Sequence, residues 1–351
     1  MDGPAGDEAD VREWLIAHGA APATADEAID TAYADALVSD LVLAEGAGLS
    51  ARDVARLAGT DLEVVLSIYH DLGVVVRDPD AHRFTEADAR LVDALKVAHH
   101  AGIFEGKSLL RVIAGAMERM SEAAVAVYVQ GQEEYLGPRM ASLVECVEAN
   151  RRATTLALEL GAGLAPVFRH HMRQAVARQR VMQEGVSRRE MARLSVGFVD
   201  LVGSTELQAQ LDPVALGEQV GRFEARAFEV VADGGGRLVK VIGDEIMVAA
   251  ADPAGGCRIM VDLIDAFTED GTQPRAGLVF GEVLFRHGDY YGPVVNLAAR
   301  LVDAAIPGEA LVDGSLVEAV KDEDLAFEPA GRRMLKGFAT PVAVWSLTAD
   351  R

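Results

Sequence analysis

The chain is poor in cysteine, has far less positive than negative charge, and contains no long apolar run. Cys146 and Cys257 are its only cysteines. They stand far apart, match no zinc-ligand spacing and make no small disulfide framework, so a reduced, cytosolic protein is expected. Lys plus Arg number 33 against 55 Asp plus Glu, a formal charge of -22. That balance argues against broad affinity for nucleic acid or anionic membranes, though not against a polyanionic substrate held locally by a metal ion. No uninterrupted apolar run reaches the roughly 18 residues of a membrane span. The opening MDGPAGDEADVREW is acidic and lacks the basic-then-apolar order of a secretion signal. The expectation is a cytoplasmic protein with no integral membrane span. Half of the 351 residues are apolar, enough for a substantial core, and the length fits about two to three domains.

Two styles of sequence meet near residue 190. Before it, Ala, Leu, Glu and Arg recur at helical spacing, as in AGAMERMSEAAVAVYVQGQEEYL, Ala114 to Leu136. After Leu194, short β-branched runs alternate with amphipathic segments. SVGFVDLV (195–202) reads as a strand. Residues 213–232 read as a helix, with Asp212 as N-cap before Pro213. DGGGRLVKVIGDEIMVAA reads as a hairpin entered through a glycine turn. Residues 253–267 are helical again, 275–285 a strand, NLAARLVDAA a short helix, and ALVDGSLVEAV a strand followed by a helix. The order β-α-β-β-α-β with additions resembles the ferredoxin-like arrangement. The expected fold class is α+β, a ferredoxin-like C-terminal domain (194–351) preceded by an all-α domain (1–168). Residues 169–193 form an Arg-rich linker with seven Arg against two Glu. Such a run is either a solvated helix or a connector that docks on an acidic surface in one state and releases it in another.

The chemistry-bearing residues lie in the second half. Asp200 ends an apolar strand and is followed by LVGST, and Asp244 sits at the bend of the hairpin. Two converging strand-end carboxylates suit magnesium or manganese. Paired ions serve an in-line displacement at phosphorus, one on the attacking oxygen and one on the leaving group. Gly203, Ser204 and Thr205 form a turn whose N–H groups can cradle phosphate oxygens. A strand-end Asp before a Gly-Ser-Thr turn also has a plain explanation in helix capping.

Together these residues resemble the catalytic domain of class III nucleotidyl cyclases, from about Leu194 to Leu347. FVDLVGST is similar to the first metal block, with Asp200 as ligand and the Leu201 backbone carbonyl beside it. KVIGDEIM is similar to the second, with Lys240 four residues before the metal ligand Asp244. GDYYGPVVNLAAR is similar to the third, with Asp289, Asn296 seven residues on, and Arg300 four beyond that. The resemblance implies two Mg²⁺ or Mn²⁺ ions per active site and conversion of ATP to cyclic AMP and pyrophosphate. Lys240 and Asp289 would read adenine, the lysine donating to N1 and the carboxylate accepting from the N6 amino group. Guanylyl cyclases usually carry Glu and Cys there, so this pair implies ATP. Asn296 would orient the ribose and Arg300 would stabilise charge at the α-phosphate. It also implies a homodimer with two shared active sites, metal carboxylates from one subunit and the other four residues from its partner. Ser204 departs from the aromatic residue many relatives carry. Glu245 has no role in the resemblance. The alternatives are a catalytically silent nucleotide-binding regulator and a MerR-like DNA-binding regulatory protein.

In the first half, residues 49–88 read as helix, turn at Gly59, helix and short hairpin, which resembles a MerR-type winged helix. Its second helix carries Asp61, Glu63 and Asp71 and no Lys or Arg, unlike a DNA reader. The domain order resembles soluble bacterial class III cyclases with an autoinhibitory regulatory domain, some of them acid-activated. His99, His100, His170 and His171 are candidate proton sensors, because histidine changes charge between about pH 5 and 8. A small apolar ligand among helices such as LALELGAGLAPVF (156–168) is the other candidate input, although apolar helix faces are more often plain core.

Overall fold

The computed structural model describes residues 4–31, 33–101, 108–136, 142–182, 191–203 and 211–349. It divides into two compact units, Met1–Arg169 and His170–Arg351. The first unit is helical: α1 (Pro4–Ala17), α2 (Pro22–Asp30), α3 (Ala34–Leu43), α4 (Ala51–Ala58), α5 (Leu62–Asp71), α6 (Glu86–His100), α7 (Ser108–Leu136) and α8 (Leu143–Gly163). Helix α9 (Ala165–Met182) contains most of the stretch expected as a linker. Capping boxes start three helices: Ser50 with Asp53 at α4, Thr85 with Asp88 at α6, and Ser142 with Glu145 at α8. Each satisfies two N–H groups that a helix start leaves bare.

Two small cores form in this unit. Val11, Leu15, Ala25, Val38 and Val147 join α1, α2, α3 and α8. Val54, Val65, Tyr69, Phe84 and Val92 join α4, α5 and α6. Asn150 is buried on α8, donates to the Asp35 carbonyl at 2.8 Å and accepts from the Tyr128 hydroxyl. Burial pushes the Tyr128 hydroxyl up to about 12, so it stays a donor. The short hairpin expected after α5 does not form. Leu49 and Phe84 make a single bridge, and Val74 and Val75 remain exposed. Phe84 packs edge-on against Tyr69 at 5.0 Å. One buried aromatic contact therefore anchors the segment where two paired strands were expected.

The second unit is a sheet with helices on both faces. In chain order it runs β1 (Met191–Leu201), α10 (Pro213–Asp233), β2 (Arg237–Ile242), β3 (Glu245–Ala250), α11 (Pro253–Glu269), β4 (Pro274–Arg286), β5 (Asp289–Tyr291) and α12 (Pro293–Ala304). It ends with β6 (Ala310–Asp313), α13 (Gly314–Ala319), β7 (Leu325–Arg333) and β8 (Val342–Ala349). The strand order is β2-β3-β1-β4-β6-β8-β7, with β5 paired to β4. The β2-β3-β1-β4 part is antiparallel and is the ferredoxin-like core. The β7–β8 hairpin is an addition that the sequence reading did not assign. β1 begins at Met191, inside the expected linker, because Ala192 and Leu194 continue the buried alternation of Val196 and Phe198.

That alternation sorts the sheet into two faces. Val199, Leu201, Ile246 and Val248 pack under α10 and α11, where Phe223 stacks on Phe267 at 4.8 Å. Leu194, Val196, Phe198 and Met247 pack under α12 through Ala298, Leu301 and Val302. Helix α12 lies directly on β4 at Gly277. A Cβ there would fall 2.5 Å from the Val302 nitrogen and 2.6 Å from the Ala298 oxygen. Backbone atoms cannot move aside singly, so the whole helix would shift. Gly277→Ala is expected to lower stability by about 1–3 kcal/mol and to displace the helix that carries Asn296 and Arg300. Denaturant unfolding of the full chain checks this, and an unchanged midpoint rejects the tight contact.

Candidate active site

The end of β1 collects acidic residues by register. Asp200 pairs with Glu245 on β3 and with Arg275 on β4, so the three side chains share one face. Arg275 donates from Nε at 2.8 Å and from Nη2 at 2.5 Å to Asp200 Oδ2. Asp244 follows in the two-residue turn between β2 and β3, which starts with Gly243 at φ 66. Glycine takes that left-handed position without strain. The Val202 N–H bonds to the Gln273 carbonyl at 2.9 Å. Alternation of the antiparallel ladder therefore turns the Leu201 carbonyl the other way, towards the β2–β3 turn. Asp200, Asp244 and this carbonyl are hard oxygen donors and fit a magnesium-type ion. Among the described residues, no three His, Cys, Asp or Glu side chains already converge as a cation site. Arg275 pairs with Asp200 instead.

The second group meets on the same face through a bulge. Leu238 pairs with Val248 but Lys240 pairs with Met247, so Val239 is an extra residue. Simple alternation would put Lys240 with Leu238 under α10 and α11. The bulge turns it to the opposite face, beside Met247. There Lys240 Nζ donates to Asp289 Oδ2 at 2.7 Å. Asp289 is the first residue of β5, carried by a turn in which His287 and Gly288 both have positive φ, 57 and 77. The Tyr290 N–H donates to Asp289 Oδ1 at 2.8 Å. Lys240 and Asp289 keep 39% and 26% of their side-chain surface exposed, so a base can reach them.

Asn296 and Arg300 lie four residues apart on α12, on one side of the helix. Asn296 is exposed and Arg300 half-buried. Arg300 Nη1 donates to Asp303 Oδ2 at 2.7 Å, and the Asp303 carbonyl accepts from Arg275 Nη1 at 3.2 Å. Gly203 follows β1 with φ 78, while Ser204 and Thr205 lie outside the described residues. In the helical unit, His99 and His100 are exposed at the end of α6 and line a cavity of about 880 Å³ with Val64, Ile68, Leu95 and Leu109. His170 and His171 are exposed on α9. In the stretch 156–168 that was expected among apolar helices, Leu156, Leu158, Leu160 and Phe168 are exposed.

Residues 1–176 match the family model described as adenylate cyclase regulatory domain, and residues 186–349 match the adenylate and guanylate cyclase catalytic domain. The chain belongs to the class III adenylate cyclases. An uncharacterized protein of Mycobacterium tuberculosis is 37% identical over 313 residues, 87% of this chain and 77% of that protein. An adenylate cyclase of Streptomyces coelicolor is 34% identical over 272 residues, 75% and 69%. A pH-sensitive adenylate cyclase of M. tuberculosis is 28% identical over 345 residues, 95% and 86%. Among the described residues of this cyclase, no helix is long and apolar enough to cross a membrane.

Sequence reasoning passed over Arg275 in this cyclase and left Glu245 without a role. Glu245 faces Asp200 across the ladder and is half-buried. Burial raises its carboxyl above the ordinary carboxylate range, Asp200, Asp303 and Asp244 push the same way, and Arg275 pulls it down. Only the pairing of β4 with β1 brings Arg275 to this cluster, and no local pattern around PRAGLVF signals it. In Arg275→Ala, Asp200 and Glu245 would face each other without that cation. The substitution is expected to destabilise the metal-free protein by roughly 1–3 kcal/mol, with part of the loss restored by added Mn²⁺. Thermal unfolding with and without Mn²⁺ measures both, and a midpoint insensitive to Arg275→Ala rejects the balancing role.

Proposed function

We propose that this cyclase converts ATP to 3′,5′-cyclic AMP and pyrophosphate at two sites shared by a homodimer. The observation that carries the choice of ATP is the pairing of Lys240 with Asp289, a donor and an acceptor held 2.7 Å apart at an accessible edge. Adenine presents N1 as an acceptor and its N6 amino group as a donor, so the base exchanges one side-chain ion pair for two hydrogen bonds. Guanine presents the reverse pattern and would leave both groups poorly matched, which costs a few kcal/mol. Asp200, Asp244 and the Leu201 carbonyl would hold two Mg²⁺ or Mn²⁺ ions. When bound, the ions lower the charge barrier to displacement at phosphorus. Gly203, Ser204 and Thr205 would cradle phosphate oxygens. Asn296 would orient the ribose so that its 3′-hydroxyl faces the α-phosphorus. The new O–P bond forms as the bond to the β-phosphate breaks, the hydroxyl proton leaves to solvent, and pyrophosphate departs. Arg300, oriented by Asp303, would stabilise the charge that builds on the α-phosphate.

Purified protein with Mn²⁺ and ATP is expected to release cyclic AMP. Asp200→Ala should abolish it, and Arg300→Ala should lower kcat by roughly 10²–10³-fold. Full activity in Asp200→Ala, or no product from the folded parent dimer, rejects the assignment. In the latter case the silent nucleotide-binding reading takes its place.

Control would enter through the helical unit, whose residues match a regulatory domain. Protons at His170 and His171 are one input, on α9 where the second unit begins and beside the Arg-rich part of that helix. The cavity bordered by His99 and His100 offers room for a small apolar ligand as another. His170→Ala with His171→Ala should flatten the pH–activity profile of the full chain towards that of residues 191–351, which keep β1 whole, assayed alone. An unchanged profile rejects those two histidines as the sensor.

A further inference from the structure

One side chain of β2 grips the turn that carries Asp289. Arg237 donates from Nη2 to the Gly288 carbonyl at 2.5 Å and from Nη1 to the Tyr290 hydroxyl at 3.4 Å. Its guanidinium carbon also lies 5.6 Å from the centroid of the Tyr290 ring. Gly288 and Tyr290 flank Asp289, so the clamp holds the chain on both sides of the carboxylate. The turn needs holding. His287 occupies the left-handed region at φ 57, where a residue with a Cβ is strained. Once a base takes the place of Lys240 on Asp289 Oδ2, the Tyr290 N–H on Oδ1 is what still orients the carboxylate among the described residues. The aim of Asp289 then depends on where the hairpin lies, and Arg237 ties that hairpin to β2. Lys240 stands on the same strand, three residues further on and past the bulge. One side chain thus links the two elements that carry the donor and the acceptor.

We infer that Arg237 is a positioning residue for nucleobase selection, acting through Asp289 and not on the substrate itself. This rests on the proposed reading of Lys240 and Asp289 as the adenine-reading pair. A role in stability alone would weaken ATP and GTP use alike, whereas a positioning role changes their ratio.

The test compares ATP and GTP, with GTP scored as a competitive inhibitor where its turnover is too slow. It uses the full chain with Arg237→Ala, Arg237→Lys, Asp289→Ala and the Arg237→Ala, Asp289→Ala double variant. Arg237→Ala is expected to raise KM for ATP with little change in kcat, and to reduce the preference for ATP by on the order of tenfold. Arg237→Lys keeps a donor for the Gly288 carbonyl but loses the second donor that reaches the Tyr290 hydroxyl, so it should recover part of the preference. Asp289→Ala should reduce the preference at least as far, and adding Arg237→Ala to it should reduce it no further. If Asp289→Ala changes the preference while Arg237→Ala does not, or if the two effects add, the positioning role is overturned and the adenine reading stands. If Asp289→Ala leaves the preference unchanged, the adenine reading falls and this inference with it. Should Arg237→Ala fail to fold by circular dichroism, Arg237→Lys and Tyr290→Phe decide by the same ratio.

Discussion

Asp200 and Glu245 are direct cross-strand partners on β1 and β3, where like charges oppose each other unfavourably. Arg275 lies across them from β4, and its fork closes on Asp200 while a third nitrogen reaches the Asp303 carbonyl. Asp303 in turn holds Arg300. A single guanidinium therefore offsets the charge at the strand ends and also braces the last turn of α12. The catalytic unit can carry so much negative charge in one place because this cation is fixed among it. Binding a divalent ion there would add a second positive charge to a cluster that is already partly balanced, so Arg275 has to share Asp200 or move aside.

The same face of the sheet carries the Lys240–Asp289 pair, and two irregularities put it there. The bulge at Val239 turns Lys240 away from the core under α10 and α11. The turn at His287 and Gly288 brings Asp289 to meet it. Both are local, one extra residue and one tight turn, and both are needed. Without the bulge, a lysine would point into a closed apolar layer, which its charge forbids unless it finds a partner. Opposite, α10 and α11 supply the burial that holds the sheet together, through Phe223, Ile259, Leu263 and Phe267. The other face combines the two tasks: α12 packs on it through Ala298, Leu301, Val302 and the close approach at Gly277, and the polar side chains stand beside that core.

The helical unit follows a looser plan. Its buried residues fall into two separate small cores, and Asn150 fixes α3, α7 and α8 through polar contacts that tolerate little displacement. Its cavity lies among α4, α5, α6 and α7, away from the apolar stretch 156–168 that the sequence singled out. Apolar residues at helical spacing mark a face but not what covers it.

Much of the catalytic fold was legible because its elements are coded locally. Asp212 and Pro213 mark a helix start, alternation marks β1 from Ser195 onward, and the glycine turn before Arg237 marks the hairpin entry. The blocks that hold Asp200, Lys240, Asp244, Asp289, Asn296 and Arg300 resemble those of the class III cyclases, and such blocks are visible in sequence because they are short and contiguous. The tertiary structure alone decided which of these residues meet and what stands beside them. Lys240 finds Asp289 across 49 residues, and Arg275 finds Asp200 across 75. Glu245 was unexplained in LVKVIGDEIMVAA because its neighbours come from other strands. Local sequence sets backbone conformation and which side of an element is apolar. Register between distant strands, a one-residue bulge and the cation that balances a cluster are set by packing, and no window of sequence contains them.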